Sequence, residues 1–268
     1  MLRCALLLLA GCDGVFGIQH INPPPDAAPD APPDARSTYA SIVLADGPVA
    51  YFQLDDPAMT TTTVDGVGGL VGHVQGLAMP GAAPPFPGAN HAYAFNGVNG
   101  SIEVGDVLPF TGNAPFTIEA WVENGREDPQ FNYAIVSKWR QPGTIPPSGW
   151  LFYYQEGDDL IPAFKIQRQD AAGIGFSATA YATTPGEMWH HVVGTYDGMQ
   201  LSIYLDGLYG SSHDSMEQLE HLDLPLEIGA QNGNSHDGPA LGSIDEVAIY
   251  DHALTDTQIL AHYNARSL

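Results

Sequence analysis

Basic residues and cysteines are scarce in this chain. Its 268 residues include 8 lysines and arginines against 31 aspartates and glutamates, for a formal net charge of -23. Phosphate backbones are bound by clustered lysine and arginine, so this balance argues against a nucleic-acid partner. Both cysteines, Cys4 and Cys12, lie near the start of the sequence. The remainder therefore has no disulfide and no thiolate metal site, and it must fold through burial and hydrogen bonding alone.

A long hydrophobic run is also lacking. The apolar stretch Ala5–Ala10 is much shorter than the roughly 18 residues that a transmembrane helix needs. Arg3 precedes it and small residues follow it, which is the layout of a signal peptide, although a short buried segment is the alternative. The run LAGC at 9–12 resembles the bacterial lipobox. We therefore expect a signal peptide at 1–11 and lipid on Cys12, which would anchor the protein in a Gram-negative cell envelope without spanning the membrane.

A proline-rich segment follows. Residues 23–35 read PPPDAAPDAPPDA, in which proline removes backbone donors and the aspartates repel one another. Such a sequence favours extended polyproline II and cannot pack a core, so it predicts a semi-rigid spacer. We assign residues 12–38 to the lipidated cysteine and its linker. Residues 39–268 are assigned to one domain, because no second change in composition follows.

The domain has the pattern of an all-β protein. Short apolar segments alternate with clusters of glycine, proline, asparagine and aspartate, and helical periodicity occurs only near the C-terminus. This pattern predicts an antiparallel β-sandwich or barrel of about a dozen strands, followed by a short helix. The predicted strands are 50–54, 92–95, 101–104, 116–122, 134–138, 150–155, 163–167, 173–180, 191–196, 201–206, 226–229 and 243–250.

The clearest local signals are two turns and one helix cap. Asp-Gly occurs at 197–198, just before a strand whose apolar and polar residues alternate. This dipeptide favours positive backbone angles, so it predicts a hairpin with a type I′ turn. Asp-Gly at 206–207 predicts a second turn. Near the C-terminus, Thr255 and Gln258 have the spacing of a capping box, which predicts the start of a short helix.

Six segments carry a family resemblance. They are VAYFQLDD (49–56), YAFNGVNGSIEVGD (93–106), FTIEAWVE (116–123), AIVSKW (134–139), WHHVVGTYDGMQLSIYLDG (189–207) and GSIDEVAIYDHALTDTQILAHYN (242–264). In this order they resemble the laminin G-like, concanavalin A-like lectin/glucanase superfamily in its bacterial jelly-roll form. The resemblance implies two antiparallel sheets stacked face to face. It also implies a function in binding sugars or proteins more often than in catalysis.

Catalytic signatures are missing. The glucanases of this superfamily carry their acidic residues on one strand as Glu-x-Asp-x-Glu or Glu-x-Asp-x-x-Glu, and no segment here has that spacing. Glu119 and Glu123 share a strand face but would lie roughly 13 Å apart along it, whereas a retaining pair needs about 5–5.5 Å. Nucleophile-elbow, zinc-protease, phosphate-loop and dinucleotide motifs are also absent. We therefore expect no catalytic residue, and we interpret Glu119 as a solvated or hydrogen-bonded sheet residue.

Two sets of residues could contact a ligand. Trp139, Tyr153 and Tyr154 could form a stacking platform for sugar rings, or they could be large strand residues in a core. Strand alternation turns one of the two tyrosines outward without showing which one. The family resemblance further implies one structural Ca²⁺, with Asp65 and Asp245 among its oxygen ligands. The alternative is that Asp65 belongs to a surface hairpin and that Asp245 is a polar sheet residue.

These features together predict a non-catalytic, membrane-anchored binding module. Its partner would be carbohydrate or another cell-surface ligand, and its contact with the membrane would be through the lipid alone. A structural module for protein–protein adhesion is the alternative from a different class. A diverged glycoside hydrolase is a third and less favoured interpretation, because no catalytic pair is visible.

Overall fold

The computed structural model describes residues 35–87, 89–124, 132–140, 147–156, 162–181, 188–231 and 238–268. The chain divides after Pro33 into two units, and all described residues belong to the second, Asp34–Leu268. The predicted signal peptide, Cys12 and the linker up to residue 34 lie outside the described residues. Neither of the described helices is long and apolar enough to cross a membrane.

The described residues contain sixteen strands and two helices. The helices are α1 (Ala35–Ala45) and α2 (Asp256–Ala265). The strands are β1 (Ala50–Phe52), β2 (Thr62–Val64), β3 (Val71–Gln75), β4 (Met79–Ala82), β5 (Ala92–Asn96), β6 (Ser101–Gly105), β7 (Phe116–Asn124), β8 (Asn132–Arg140), β9 (Ser148–Glu156), β10 (Pro162–Gln169), β11 (Gly175–Tyr181), β12 (Trp189–Tyr196), β13 (Gln200–Leu205), β14 (Leu208–Asp214), β15 (Leu226–Ile228) and β16 (Leu241–Tyr250).

The strands form two antiparallel sheets. Sheet A has the order β14-β13-β12-β7-β16-β5-β4, and β1 also pairs with β16. Sheet B has the order β11-β10-β9-β8-β15-β6-β3-β2. Long crossovers between neighbouring strands and the division into two sheets are those of a jelly-roll sandwich. The predicted fold class is therefore confirmed, and each of the twelve predicted strands is present.

Four strands were not predicted, namely β2, β3, β4 and β14. Most of their residues are exposed or only partly buried. Three of them, β2, β4 and β14, end the order of their sheet, where a strand has one pairing neighbour instead of two. Because a strand with little burial needs few apolar residues, these segments lack the alternation by which the others are recognised.

The two Asp-Gly turns differ in type. Strands β12 and β13 form the predicted hairpin, in which Tyr196 pairs with Leu201. Gly198 alone has a positive φ in this turn (100°), so the turn has the type II′ pattern and the predicted type I′ is wrong. At the second turn Asp206 and Gly207 both have positive φ, 52° and 76°, which is the type I′ pattern. This turn connects β13 to the unpredicted strand β14.

Alternation along the strands of sheet A creates a large core on each of its two sides. Residues that point between the sheets form the inner core, including Ile118 of β7 and Phe152 of β9. On the opposite side of sheet A a second core forms against the helices, and Trp121 of β7 belongs to it. Tyr39 of α1 and Ile259 of α2 complete this second core. We call this side of sheet A the helix-covered face.

The two helices differ in how well the sequence predicted them. Thr255 is the N-cap of α2, and both hydrogen bonds of the predicted capping box are present. Helix α1 was not predicted, and it begins at Ala35, four residues before the expected start of the domain. Asp34, a residue type favoured at the N-cap, stands directly before it in the sequence, but Asp34 is also part of the proline-rich repeat. The helix itself, ARSTYASIVLA, has no acidic residue in its first turn.

One edge of sheet A meets one edge of sheet B. Ser211 of β14 places its hydroxyl against Thr179 of β11. The hydroxyl donates to the Thr179 carbonyl at 2.7 Å and accepts from the Thr179 N–H at 2.8 Å. Both backbone groups of Thr179 that point away from β10 are thereby satisfied.

Candidate binding face

The outer side of β9, β10 and β11 is the best candidate for a ligand-binding surface. Directly paired residues of neighbouring strands point to the same side of a sheet, so the register defines this surface. We call it the polar face. Among the residues whose side chains the structure describes, it comprises Gly149, Leu151, Tyr153, Gln155, Ala163, Lys165, Gln167, Gln169, Gly175, Ser177 and Thr179. None of these eleven residues is acidic, although the chain carries 31 aspartates and glutamates.

Strand β10 shows why the sequence produces this face. In the run FKIQRQ, Phe164 and Ile166 belong to the inner core. The alternate residues, Lys165, Gln167 and Gln169, point outward and are partly exposed. This is the period of two of a strand with one buried side. This alternation is visible in the sequence, but the predicted ligand contacts were aromatic residues and did not include these amides.

Side chains of the polar face are joined across strands by hydrogen bonds. The Lys165 ammonium donates to Gln155 Oε1 at 2.7 Å. The Tyr153 hydroxyl donates to Gln167 Oε1 at 3.3 Å, and Gln167 Nε2 donates to Gln169 Oε1 at 3.1 Å. Burial raises the pKa of Tyr153 to about 12, so its hydroxyl keeps its proton at neutral pH. The amides hold one another in place and still have donors and acceptors for a ligand.

The three aromatic residues predicted as a platform do not act together. Tyr154 points into the inner core, so it is the tyrosine that faces away from the ligand side. Trp139 and Tyr153 lie on the outer side of sheet B, where they pack with Leu151 and Ala134. Each of these two rings is only 5% exposed. The structure therefore favours the alternative interpretation, in which the aromatic residues are packing residues.

The helix-covered face contains a buried hydrogen-bond network around Glu119 of β7. The Glu119 side chain is inaccessible to solvent. Its Oε1 accepts from the Tyr39 hydroxyl at 3.0 Å and from His191 Nε2 at 2.9 Å. Its Oε2 accepts from the Tyr250 hydroxyl at 3.2 Å and from His262 Nδ1 at 2.8 Å. The expected hydrogen-bonded role of Glu119 is confirmed, while solvation of Glu119 is wrong because α1 and α2 cover it.

His262 of α2 is charged within this network. Its second nitrogen, Nε2, lies 2.9 Å from Asp46 Oδ2, so both ring nitrogens donate to carboxylates. Burial lowers the pKa of His262, but the carboxylates of Glu119 and Asp46 outweigh burial and raise it to about 9. Burial likewise opposes ionisation of Glu119, yet His262 and His191 hold its pKa below the ordinary value. A buried ion pair thus links α2 to sheet A, and the Tyr39 hydroxyl links α1 to the same carboxylate.

Asp65 does not fit the calcium site that the family resemblance implied. Its carboxylate is buried in a turn and accepts from four backbone amides. Oδ1 accepts from Tyr51 N and Val67 N at 2.6 and 2.9 Å, and Oδ2 from Gly68 N and Leu70 N at 2.6 and 3.3 Å. These N–H groups occupy the positions that a cation would need, and their positive ends face the carboxylate.

Asp245 lies in β16 of sheet A, where it pairs with Trp121 and is inaccessible to solvent. In the part of the chain that the structure describes, no three histidine, cysteine, aspartate or glutamate side chains are grouped as a metal site. Calcium binding stays a prediction, and melting curves in calcium and in chelator would test it. Asp65 has a different role here, as the residue that closes the 65–70 turn.

A cleft at one end of the sandwich is a weaker candidate for a ligand site. Tyr133, Tyr154, Ala240 and Ile244 contribute to its mainly apolar walls. Its volume of about 10 Å³ is far below the range of about 300–1,000 Å³ that ligand pockets usually have. The polar face has more hydrogen-bonding side chains than this cleft.

The stacked sheets, their strand order and the helix-covered face define an antiparallel sandwich of the jelly-roll class. The family model Laminin_G_3, described as concanavalin A-like lectin/glucanases superfamily, matches residues 96–260, which is more than half of the chain. The chain belongs to this family, and the predicted resemblance is confirmed. A search of curated proteins finds no matching relative.

Solved structures share this fold at low sequence identity. The botulinum neurotoxin serotype D binding domain is 14% identical, with a TM-score of 0.62 over 82% of this chain and 52% of that chain. The serotype G binding domain is 15% identical, with a TM-score of 0.61 over 81% of this chain and 50% of that chain. This chain therefore spans about half the length of these neurotoxin domains.

A second kind of neighbour matches over nearly its whole length. It is domain 4 of AbnA, a GH43 extracellular arabinanase from Geobacillus stearothermophilus, solved in complex with arabinotriose. The identity is 16% and the TM-score is 0.60, over 81% of this chain and 98% of that chain. At such identities the comparison shows a common fold.

Proposed function

We propose that this protein is a non-catalytic binding module that recognises carbohydrate through the polar face and is held at a membrane by lipid on Cys12. The observation that carries the proposal is the composition of the polar face. On a chain with a formal net charge of -23, three neighbouring strands present amides, hydroxyls and one lysine without a carboxylate.

This composition suits sugar hydroxyls. Each hydroxyl of a saccharide both donates and accepts hydrogen bonds, and glutamine side chains do the same. Gln155, Gln167 and Gln169 are partly exposed and are already oriented by contacts with neighbours. Less side-chain entropy is lost on binding when the contacting groups are held in advance. The absence of acidic groups on this surface avoids burying a carboxylate beside a neutral ligand.

The comparisons support a binding function in two ways. The family that contains this chain includes lectins by its description. One fold neighbour is an arabinanase domain solved with an oligosaccharide, and others are receptor-binding domains of neurotoxins. At these low sequence identities the solved neighbours support only a common fold. The carbohydrate ligand is therefore inferred from the polar face.

A glycan array with the purified protein tests the carbohydrate proposal. We expect saccharide hits for the wild type and a loss of at least about tenfold in affinity for Gln167→Ala, because one side chain contributing two ligand contacts is worth more than about 1.4 kcal/mol. Gln200→Ala is the matched control, since Gln200 is an exposed glutamine of β13 in sheet A. Silence of the array together with capture of a defined protein partner would contradict the proposal and favour the adhesion module.

The membrane anchor needs a separate test, because Cys12 lies outside the described residues. We expect Cys12→Ser to abolish labelling with a fatty-acid analogue and to move the protein from the detergent phase to the aqueous phase. Cys4→Ser is the matched control, since this residue would be removed with the signal peptide. If the Cys12→Ser variant stays in the detergent phase, the anchor proposal is wrong.

A further inference from the structure

Lys165 is the charged residue of the polar face, and its surroundings are neutral. It pairs directly with Tyr153 of β9 and Thr179 of β11. Its ammonium donates to the neutral amide of Gln155 at 2.7 Å. The side chain is partly exposed. An ammonium has three donors, so donors beyond the one used by Gln155 can bind another group.

Other basic side chains in the described part of the chain are used differently. Lys138 and Arg140 each form an ion pair of 2.5 Å with a carboxylate. Arg168 and Arg266 donate to backbone carbonyls and lie over tyrosine rings. Lys165 differs from these four because it has a neutral hydrogen-bond partner on an outward-facing surface.

We infer that Lys165 makes the polar face selective for saccharides that carry a carboxylate or a sulfate group. This inference rests on the proposed carbohydrate function and specifies the ligand class. An anionic oxygen would accept a charge-assisted hydrogen bond from the Lys165 ammonium. The amides at 167 and 169 would bind neighbouring hydroxyls of the same sugar.

The negative net charge of the protein does not prevent an anionic saccharide from binding at Lys165. At physiological ionic strength charges more than about 8 Å apart are largely screened, so nearby groups have the greatest effect. The nearest outward residues of β9, β10 and β11 contain no carboxylate that would compete for the ammonium. An incoming anion therefore meets one positive charge and neutral donors at the place where it binds.

The test compares charged saccharides with neutral counterparts of the same shape, using the full chain. A glycan array containing neutral, uronate-bearing and sulfated saccharides identifies the best hits. Calorimetric titrations then use the best hit and its neutral form, a methyl ester for a uronate or a desulfated sugar for a sulfate. The variants are Lys165→Gln, which removes the charge, and Lys165→Arg, which keeps it. Arg266→Gln is the control, because it makes the same change in net charge at the C-cap of α2.

We expect the wild type to bind the anionic form about tenfold more tightly than its neutral form, the size of one charge-assisted hydrogen bond. Lys165→Gln should remove that preference while its affinity for the neutral form changes less than about twofold. Lys165→Arg and Arg266→Gln should keep the preference. Hits confined to uronates or to sulfated sugars would identify which anionic group is bound, and either result supports the inference.

Three other results would overturn the inference. Equal binding of anionic and neutral forms, unchanged in Lys165→Gln, would refute the selectivity and leave the carbohydrate function standing. An equal loss in Lys165→Gln and Arg266→Gln would assign the preference to net charge and would also refute a specific role of Lys165. If no saccharide binds, the proposed function fails and the inference fails with it. Circular dichroism and melting curves of each variant establish that it is folded.

Discussion

The outer faces of the two sheets differ in where charged and neutral polar side chains are placed. On sheet A, charged groups are enclosed: Glu119 and His262 are inaccessible to solvent beneath α1 and α2. On sheet B, the polar face is neutral apart from Lys165, and Gln167 and Gln169 are partly exposed. Charge is thus placed where partners surround it, and uncharged hydrogen-bonding groups are placed where a ligand could approach.

This difference separates stability from recognition. A buried carboxylate is tolerated only when its hydrogen bonds are satisfied, and Glu119 obtains them from α1, β12, β16 and α2. Each contact links segments that are distant in sequence, so the network fixes both ends of the domain to sheet A. Side chains of the polar face make fewer contacts and hold no distant segment. We therefore expect changes on one face to affect folding and changes on the other to affect binding.

The largest expected effect is on the helix-covered face. Glu119→Gln should destabilise the protein by about 3–5 kcal/mol, because it leaves the charged His262 without its buried partner. Urea unfolding at pH 6 measures this change. The control is Glu123→Gln, on the same strand and face, where Glu123 is partly exposed and accepts from the Ser243 hydroxyl at 3.1 Å. Equal effects of the two substitutions would contradict the comparison.

The second effect is a loss of stability at alkaline pH. The folded-state pKa of His262 is raised to about 9 from 6.5, so its contribution is complete below pH 6.5 and disappears as pH rises through 9. The difference between these two pKa values corresponds to about 3 kcal/mol in the free energy of unfolding. Glu119 has a lowered pKa, so its contribution is present above its ordinary value and is lost as pH falls below it. Tyr39 and Tyr250 also face Glu119, and burial raises the pKa of both.

Urea unfolding between pH 6 and 9.5 measures the alkaline loss. The matched variant is His262→Gln, which removes the titrating group and should flatten the dependence over this range. A wild-type stability that stays constant between pH 6.5 and 9 would show that His262 is not charged in the folded protein.

A smaller effect is expected at the cap of α2. Thr255→Ala removes the side chain that accepts from the Gln258 N–H, and loss of such a cap costs about 1 kcal/mol. Because α2 covers Glu119, fraying of its first turn should also speed hydrogen exchange at the Ile259 amide. Thr257→Ala, an exposed change within the same helix, should alter stability by less than about 0.5 kcal/mol. If Thr255→Ala is as stable as Thr257→Ala, the cap does not stabilise α2.

The smallest effect on folding is expected on the polar face. Gln167→Ala should change the free energy of unfolding by no more than about 0.5 kcal/mol, as partly exposed substitutions usually do. The same urea experiment measures it beside Glu119→Gln. A loss of stability comparable to that of Glu119→Gln would show that the polar face contributes to folding as the helix-covered face does. The proposed division between stability and recognition would then be wrong.

Local patterns predicted much of the fold but not the network. Thr255 and Gln258 stand three residues apart, and that spacing was enough to place the start of α2. Apolar alternation likewise placed β7, with Glu119 as one of its polar residues. Its partners lie 72 to 143 residues away, so no local pattern could reveal them.

The candidate site was predicted less well. Trp139, Tyr153 and Tyr154 were chosen for their residue type, but ring type does not determine whether a ring is covered. Alternation in β10 was a better guide, because it separates Phe164 and Ile166 from Lys165 and Gln167. Strand β4 shows the other limit, since Pro80 and Gly81 lie within it and both residues usually argue against a strand.

The contact between Ser211 and Thr179 has a consequence for how the protein behaves beside other copies of itself. A strand at the end of a sheet exposes N–H and C=O groups to which a strand of another molecule can add, and such additions lead to aggregation. On β11 the Ser211 hydroxyl occupies both groups of Thr179, at 2.7 and 2.8 Å. A neighbouring copy of the protein therefore meets an edge at which these groups are already satisfied.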